Sequence, residues 1–318
     1  MSGLALRVAL GRYGHTEDLL DGRILVDGCT LEPVEFASMI TAYRRMVRSV
    51  EFDVCELAPT TYLIARALGA PYVALPIFLS RRFHHEGLVV RNGSGIERPT
   101  DLHGRRVGVR AYSVTSAVWT RGILQDEYGV DPAKIEWIVD DDEHVESLVL
   151  PPNVRRPGPK LVDLFRQGEV DAAFTRGAGI GNPKVTVVSG YHELLAEADS
   201  LAADWYRRTG VYPIHGVVVV REQLLHDHPW LAGSLLQAFQ DSRSSYLHRL
   251  GTPAASAPED LRYQRLAEIV GNPLPYGLPA NQASIGTLVD YSRRQGLVPA
   301  DAPADRFFPE LLPVKDFR

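Results

Sequence analysis

The segment FDVCELAPTTYLIARALGAPYVALPIF, residues 52–78, decides the fold class of this chain. Its apolar run at Phe52–Leu57 predicts a strand, and Tyr72–Phe78 predicts a second one. Between them, apolar residues at helical spacing over Thr60–Leu68 predict a helix. Short connections between strand, helix and strand favour a largely parallel sheet covered by helices. The segment therefore indicates an α/β protein.

The same alternation extends in both directions along the chain. Further strands are predicted at Leu4–Leu10, Val26–Phe36, Leu88–Val90, Arg106–Arg110, Glu136–Val139, Val170–Phe174 and Val217–Val220. Further helices are predicted at Ala37–Ser49, Thr115–Glu127, Leu161–Gln167, Glu193–Arg207, Pro229–Leu250, Pro258–Val270 and Ala280–Gln295. Residues 140–160 are acidic and then proline-rich, which predicts a loop.

A chain of 318 residues is long enough for two α/β lobes rather than one core. We expect residues 1–83 and 217–318 to form lobe 1, and residues 84–216 to form lobe 2. The chain would then cross twice between the lobes, near His84–Gly87 and near Pro213–Gly216. Two crossings predict a hinge with a central cleft between the lobes.

The composition excludes several classes of protein. With 45% hydrophobic and 23% charged residues, the chain is typical of globular proteins. The net charge of -5 and the lack of a long basic run argue against a nucleic-acid partner. No apolar stretch reaches the roughly 18 residues of a membrane span. Arg7 interrupts the first apolar run, which predicts a strand instead of a secretory signal and therefore a cytoplasmic protein.

Polar residues follow several of the predicted strands, and ligands in open α/β sheets bind beyond those carboxyl ends. The planar guanidinium groups of Arg81, Arg110 and Arg176 suit a carboxylate ligand, with a surface ion pair as the alternative. Arg121, on the helix predicted at Thr115–Glu127, either reaches the ligand or braces its helix. We therefore expect an anionic small molecule as the partner.

Two residue types are candidates for proton transfer. His85 is the first choice, because imidazole titrates near neutral pH; its alternative role is a hinge histidine bonded to backbone. His84 and His215 are weaker candidates. Glu56 ends a buried strand, so its carboxylate needs a partner or a raised pKa, and it either serves the site or caps the next helix.

Residues at strand–helix junctions complete the candidate site. Thr115 and Ser116 begin a predicted helix, where their hydroxyls can cap the helix and its N-terminus favours an anion. Tyr13 and Tyr112 also follow predicted strands, and we expect them to bind the same ligand.

Several segments together resemble the 4,5-dihydroxyphthalate decarboxylase family, whose members look like periplasmic binding proteins of the type II fold. The matching segments span nearly the whole chain and are Phe52–Leu57, Tyr62–Ala65, Pro76–Arg81, Phe83–His85, Ala117–Asp131, Tyr206–Ile214, His228–Trp230 and Pro275–Leu278. The chain departs from the family pattern at His84, where arginine is usual, and at His215 and Gly216, where a hydrophobic residue and then histidine are usual. These departures fall near the expected hinge and cleft, so a related aromatic acid is an alternative substrate.

The resemblance implies a cofactor-independent decarboxylase that converts 4,5-dihydroxyphthalate to protocatechuate. A deprotonated ring hydroxyl supplies the electrons, so the chemistry needs neither pyridoxal nor thiamine. The glycines of Gly177–Gly181 do not have the spacing of a nucleotide-binding loop. No cofactor is therefore expected. No zinc spacing is recognisable either, although Glu56, His84, His85 and His215 could converge on a divalent metal, which is the minor alternative.

Two other functions use the same expected cleft. One is a non-catalytic binding protein for a small aromatic or heterocyclic carboxylate, and the other is a different small-molecule enzyme on the same fold. The expected cytoplasmic location favours the decarboxylase over a transport receptor. The sequence leaves the oligomeric state open.

Overall fold

A computed structural model describes residues 3–181 and 190–308 of the chain. The strands are β1 (Leu4–Ala9), β2 (Cys29–Pro33), β3 (Val54–Leu57), β4 (Tyr72–Ala74), β5 (Ser80–Arg81), β6 (Leu88–Arg91), β7 (Arg106–Gly108), β8 (Glu136–Ile138), β9 (Val154–Arg155), β10 (Ala172–Phe174), β11 (Tyr191–Glu193) and β12 (Ile214–Arg221). The helices are α1 (Glu17–Leu20), α2 (Met39–Ser49), α3 (Pro59–Ala67), α4 (Thr115–Tyr128), α5 (Leu161–Gln167), α6 (Ala198–Thr209), α7 (Glu222–Asp227), α8 (Leu231–Leu250), α9 (Pro258–Val270) and α10 (Gln282–Arg294). Short 3-10 turns lie at Pro99–Leu102, Pro132–Lys134, Pro279–Asn281 and Ala304–Arg306.

The chain divides into two compact units. Unit 1 comprises Met1–Arg82, Ile214–Gly286 and Ala302–Arg318. Its sheet has the order β2-β1-β3-β12-β4, and β5 also pairs with β12. Strand β1 is parallel to β2 and β3, whereas β12 is antiparallel to β3 and β4. The carboxyl ends of β1 and β3 therefore share an edge of the sheet with the first residues of β12.

Helix α8 covers the sheet of unit 1. Its residues Leu231, Leu235 and Phe239 are buried in one hydrophobic cluster with Val8 of β1 and Val218 of β12. Fully burying each such side chain contributes about 1.5–3 kcal/mol. This packing holds the strands, and with them the residues at their ends, in fixed positions.

Unit 2 comprises Phe83–Pro213 and Thr287–Asp301. Its sheet has the order β11-β6-β10-β7-β8-β9, in which β6 is antiparallel to both neighbours and β10, β7, β8 and β9 are parallel. Leu161, Leu164 and Phe165 of α5 pack on this sheet against Val89 and Ala173.

The α/β fold class is confirmed, and α5 and α9 begin and end where the sequence predicted. The expectation of largely parallel sheets was wrong, because β12 in unit 1 and β6 in unit 2 run against their neighbours. The helix predicted at Glu193–Arg207 begins at Ala198, after β11. Unit 2 also takes in residues 287–301, which the sequence-based division placed in lobe 1. The two-crossing hinge and its cleft stay predictions.

In the part of the chain that the structure describes, no helix is both long enough and apolar enough to cross a membrane.

Candidate functional site

The carboxyl group of Glu56 is the centre of a buried polar cluster in unit 1. Its side chain lies on β3 and the residue is 1% exposed. The Gly11 backbone N–H donates to Oε2 at 3.0 Å, and the Tyr13 hydroxyl donates to Oε1 at 2.9 Å. The Tyr43 hydroxyl lies 3.4 Å from Oε1. The structure thus brings together two predicted site residues, Glu56 and Tyr13, and adds Tyr43, which the sequence did not single out.

Burial changes the acidity of this carboxyl. Removal from water raises the pKa of Glu56 to about 7, although the hydrogen bonds from Gly11, Tyr13 and Tyr43 favour the charged form. A carboxyl with this pKa is about half protonated at neutral pH. It can therefore act as a proton donor and then as an acceptor under the same conditions.

Two glycines make room for the Glu56 carboxyl and for the Tyr13 ring that binds it. A Cβ atom at Gly216, at the start of β12, would lie 2.5 Å from Glu56 Oε1. A Cβ atom at Gly11 would lie 2.4 Å from the ring of Tyr13. Residue 216 is one of the departures from the family pattern, and here a side chain would displace the carboxyl or be displaced by it.

His15 lies behind Tyr13 and was not predicted. The two rings stack with centroids 5.4 Å apart and an interplanar angle of 8°. Tyr246 and Tyr263 contact the same imidazole at centroid distances of 5.8 and 6.1 Å. Burial lowers the pKa of His15 to about 3, although the Leu79 carbonyl favours the charged ring. The imidazole is therefore neutral at physiological pH.

The other predicted residues of unit 1 are Arg81 and His215. Arg81 is fully buried, donates to Asn281 Oδ1, and lies over the Phe78 ring at 5.6 Å. His215 is half-buried, and its Nε2 lies 2.6 Å from a guanidinium nitrogen of Arg82. Both contacts keep these side chains within unit 1, and their binding of a substrate stays a prediction.

In unit 2, the predicted residues before α4 are bound by the acidic loop. Arg110 donates to Asp141 Oδ2 at 3.0 Å and to the Gly177 carbonyl at 2.8 Å. The backbone N–H groups of Tyr112 and Ser113 donate to the two carboxylate oxygens of Glu143 at 2.6 and 3.2 Å. The acidic loop that the sequence predicted therefore fixes the residues that precede α4.

Thr115 and Ser116 are the first two residues of α4, as predicted, and both are buried. Val114 at the cap position makes no side-chain capping bond. The roles of Thr115, Ser116 and Tyr112 in substrate binding stay predictions.

Arg121 and Arg176 have the contacts that the sequence analysis gave as alternatives. Arg121 is 1% exposed and donates to Gln295 Oε1 and to the Tyr112 carbonyl, both at 2.7 Å, so it braces α4. The Arg176 side chain is 62% exposed and pairs with Glu86 at 2.8 Å. Neither arrangement excludes a ligand, and contact with one stays a prediction for both.

His85 lies among aromatic rings in unit 2. It is 3% exposed, and its ring meets the edge of Trp205 at a centroid distance of 5.4 Å. Burial lowers the pKa of His85 to about 4, with Glu127 favouring the charged ring and Arg208 opposing it. The neighbouring His84 stacks on Trp119 instead, with an interplanar angle of 3°. These surroundings are those of a packed, neutral histidine.

No three His, Cys, Asp or Glu side chains in residues 3–181 and 190–308 are arranged to hold a metal ion. Of the four residues considered for a metal, Glu56 and His215 belong to unit 1, and His84 and His85 belong to unit 2. The expectation of a metal-free site stays a prediction.

Comparison with known proteins identifies two relatives that share one name. A 4,5-dihydroxyphthalate decarboxylase of Comamonas testosteroni is 35% identical over 271 residues, which cover 80% of this chain and 80% of the relative. A 4,5-dihydroxyphthalate decarboxylase of Pseudomonas putida is 32% identical over 226 residues, which cover 65% of this chain and 83% of the relative.

Family and structure comparisons address the fold. Residues 32–186 match the family described as "ABC transporter, phosphonate, periplasmic substrate-binding protein". The periplasmic aliphatic sulphonate binding protein SsuA of Escherichia coli superposes with a TM-score of 0.55 at 16% identity, covering 98% of this chain and 99% of that chain. The predicted type II periplasmic-binding-protein-like fold is therefore confirmed. This fold is used by transport receptors, so the fold alone does not decide between binding and catalysis.

Proposed function

Because the chain belongs to the 4,5-dihydroxyphthalate decarboxylase family, we propose that it removes one carboxyl group from a hydroxylated aromatic acid. The proposed substrate is 4,5-dihydroxyphthalate, and the products are protocatechuate and carbon dioxide. The observation that carries the proposal is the buried Glu56 carboxyl, which is held by Gly11, Tyr13 and Tyr43 and has a pKa near neutrality.

Glu56 is the proposed proton donor. Loss of carbon dioxide from an arene requires a proton at the ring carbon that carried the carboxylate. In the proposed step, the electron-rich ring takes the proton of the neutral Glu56 carboxyl at that carbon. The carbon–carboxylate bond then breaks, its electron pair returns to the ring, and aromaticity is restored. Glu56 is left as a carboxylate and takes up a proton from solvent before the next turnover.

The hydrogen bonds to Glu56 serve both halves of this cycle. When Glu56 loses its proton, the donors from Gly11 and Tyr13 stabilise the resulting buried charge. When Glu56 is protonated, burial supports the neutral form. The pKa near 7 is the balance between these two effects.

His85 was the first choice as donor from the sequence, but it suits the role less well than Glu56. Its lowered pKa means that the ring holds no transferable extra proton at neutral pH. We therefore assign the proton transfer to Glu56 and give His85 a packing role. Arg81, Arg110, Arg176 and His215 remain the proposed ligands of the substrate's carboxylates.

We propose that the reaction needs no organic cofactor and no metal, since a hydroxyl para to the leaving carboxylate donates electron density to the carbon that is protonated, and the protonated ring then accepts the electron pair of the broken bond. A dihydroxyphthalate has such a hydroxyl opposite each carboxylate. The two carboxylates are related by symmetry, so loss of either one gives protocatechuate.

The test is direct incubation of purified protein with 4,5-dihydroxyphthalate, with and without a chelator, while protocatechuate and carbon dioxide are measured. Turnover in both conditions is the expected result. Loss of turnover with chelator would overturn metal independence. Tight binding without turnover would favour a non-catalytic binding protein, the alternative that the match to periplasmic substrate-binding proteins supports. Neither binding nor turnover would overturn the substrate assignment.

A further inference from the structure

Four buried polar atoms in one region of unit 1 make no hydrogen bond of good geometry within residues 3–181 and 190–308, although the Leu79 carbonyl is close to the His15 ring and the Arg262 guanidinium is close to the Tyr263 hydroxyl. They are both ring nitrogens of His15, the hydroxyl of Tyr263 and the hydroxyl of Tyr276. His15 and Tyr263 are 0% exposed, and Tyr276 is 6% exposed. A buried polar group without a partner costs about 1–3 kcal/mol, so proteins rarely keep several together without a use for them.

These groups form one cluster beside Glu56. The rings of His15 and Tyr263 are in edge contact, with centroids 6.1 Å apart. A charge on Glu56 contributes to raising the pKa of both Tyr263 and Tyr276, after burial as the main cause. His15 also stacks on Tyr13, whose hydroxyl is bonded to Glu56. The charge of Glu56 therefore reaches both tyrosines, and His15 is linked to Glu56 through the ring of Tyr13.

The chemistry of the cluster selects the kind of ligand group it can bind. A neutral imidazole offers one donor and one acceptor, and each tyrosine hydroxyl offers both functions. The nearby Arg262 guanidinium lies over the Tyr263 ring, 4.6 Å from its centroid, and pairs with Glu259 at 3.6 Å. Neutral groups that both donate and accept match a phenolic hydroxyl, whereas a carboxylate is bound best by a free cation.

We propose that His15, Tyr263 and Tyr276 bind the phenolic hydroxyl groups of the aromatic substrate. This assignment rests on the proposed function, because it orients the hydroxylated side of the ring while Glu56 reaches the carbon that is protonated. His15 and the two tyrosines are thus positioning residues that select hydroxylated over unhydroxylated acids. A hydrogen bond from a ring hydroxyl to the neutral imidazole also increases the electron density of the ring.

The test compares ligand binding by Tyr263→Phe, Tyr276→Phe and a matched control, Tyr72→Phe. Tyr72, on β4, is also 0% exposed and its hydroxyl also lacks a partner among the described residues. Its pKa, however, is raised by burial, Cys55 and Tyr62, with no contribution from Glu56. Calorimetry measures the affinity for 4,5-dihydroxyphthalate and for phthalate, which lacks the hydroxyls. The difference between the two affinities is the contribution of the ligand's hydroxyl groups to binding.

Tyr263→Phe and Tyr276→Phe should each weaken binding of 4,5-dihydroxyphthalate by about tenfold and leave phthalate binding unchanged, which corresponds to one lost hydrogen bond. The melting temperature should stay equal or rise, because an unsatisfied hydroxyl is removed. Tyr72→Phe should change neither affinity. For His15, replacement by Gln should retain more of the hydroxyl preference than replacement by Leu, because Gln can still donate and accept.

Equal losses for both ligands, or no loss for either, would overturn the inference. If the unmutated protein turns over the substrate but the variants keep its preference for 4,5-dihydroxyphthalate over phthalate, only this inference is overturned and the proposed function stands. Selective binding of the hydroxylated acid without turnover would defeat the proposed reaction and leave the hydroxyl assignment standing. Binding of neither acid would overturn both.

Discussion

Two carboxylates of this protein are bound by backbone N–H groups after strands, and they differ in what surrounds them. Glu56 in unit 1 accepts from Gly11 and from the hydroxyl of Tyr13 and is fully buried. Glu143 in unit 2 accepts from Tyr112 and Ser113 before α4 and is half-buried. The same hydrogen-bonding device thus holds the proposed proton donor where water is excluded and a structural anchor where water has access. Burial decides between the two roles.

The sharpest way to break this comparison is to neutralise each carboxylate. Glu56→Gln keeps the shape but removes the proton donor, so kcat should fall by about 10²–10⁴-fold, the usual worth of a general acid. Glu143→Gln should lower kcat by much less, since it weakens only a backbone anchor. Steady-state kinetics on both variants, with melting curves to check folding, measures the difference. Equal losses would show that the two carboxylates share one role.

A smaller effect is expected when the space for Glu56 is reduced. In Gly216→Ala the new methyl group would lie 2.5 Å from Glu56 Oε1, so the carboxyl must move. A misplacement of about 1 Å can cost on the order of 10²-fold in rate, and we expect kcat to fall toward that extent. Gly233→Ala on α8 is the control, because nothing lies within 4 Å of its added Cβ. It should keep full activity and gain stability from the better helix former. Unchanged kcat in Gly216→Ala would argue against Glu56 as the donor.

The pH dependence of the reaction sharpens the same point. Glu56 must be protonated to act, so kcat should decline as the pH rises through about 7. The Tyr13 hydroxyl favours the charged carboxylate, and Tyr13→Phe therefore raises the pKa of Glu56 further. The declining limb of the profile should move to higher pH by about one unit, as expected for one lost hydrogen bond to a charge. A limb that stays in place, or moves to lower pH, would contradict the assignment.

The smallest effect is expected at His85 of unit 2. A phenylalanine at this position preserves the edge contact with Trp205, and the neutral ring that it replaces has no proton to give at pH 7. His85→Phe should therefore retain kcat close to that of the unmutated protein, with a small change in melting temperature. If kinetics instead show an almost complete loss of turnover in a folded variant, the original choice of His85 as the donor would be restored.

The sequence predicted the parts of the fold that depend on local patterns. Apolar spacing located α5 and α9 and the start of α4, and the strand predicted at Val217–Val220 lies within β12, where all four valines are buried. Such local patterns do not tell whether two neighbouring strands in a sheet are parallel or antiparallel. The antiparallel pairing of β12 is a contact between distant parts of the chain, which the sequence alone did not reveal.

The candidate site was predictable to a similar extent. Glu56 stood out because an ionisable residue in a buried strand needs an explanation, and Tyr13 stood out because it follows a strand. His15 gave no such signal: it follows a glycine in a polar segment, and its aromatic contacts Tyr246 and Tyr263 come from α8 and α9. Its environment arises only when these distant segments fold together.

The position of β12 also bears on how the chain is made. The strand lies between β3 and β4 in the sheet of unit 1, yet the ribosome adds it after residues 83–213 of unit 2. During synthesis, β3 and β4 must therefore remain without their shared central neighbour while well over a hundred further residues emerge. Closing so large a loop is slow and exposes strand edges to misassociation. The half of the protein that begins first is consequently completed late, and the Glu56 carboxyl on β3 reaches its final surroundings after the intervening segment has been translated.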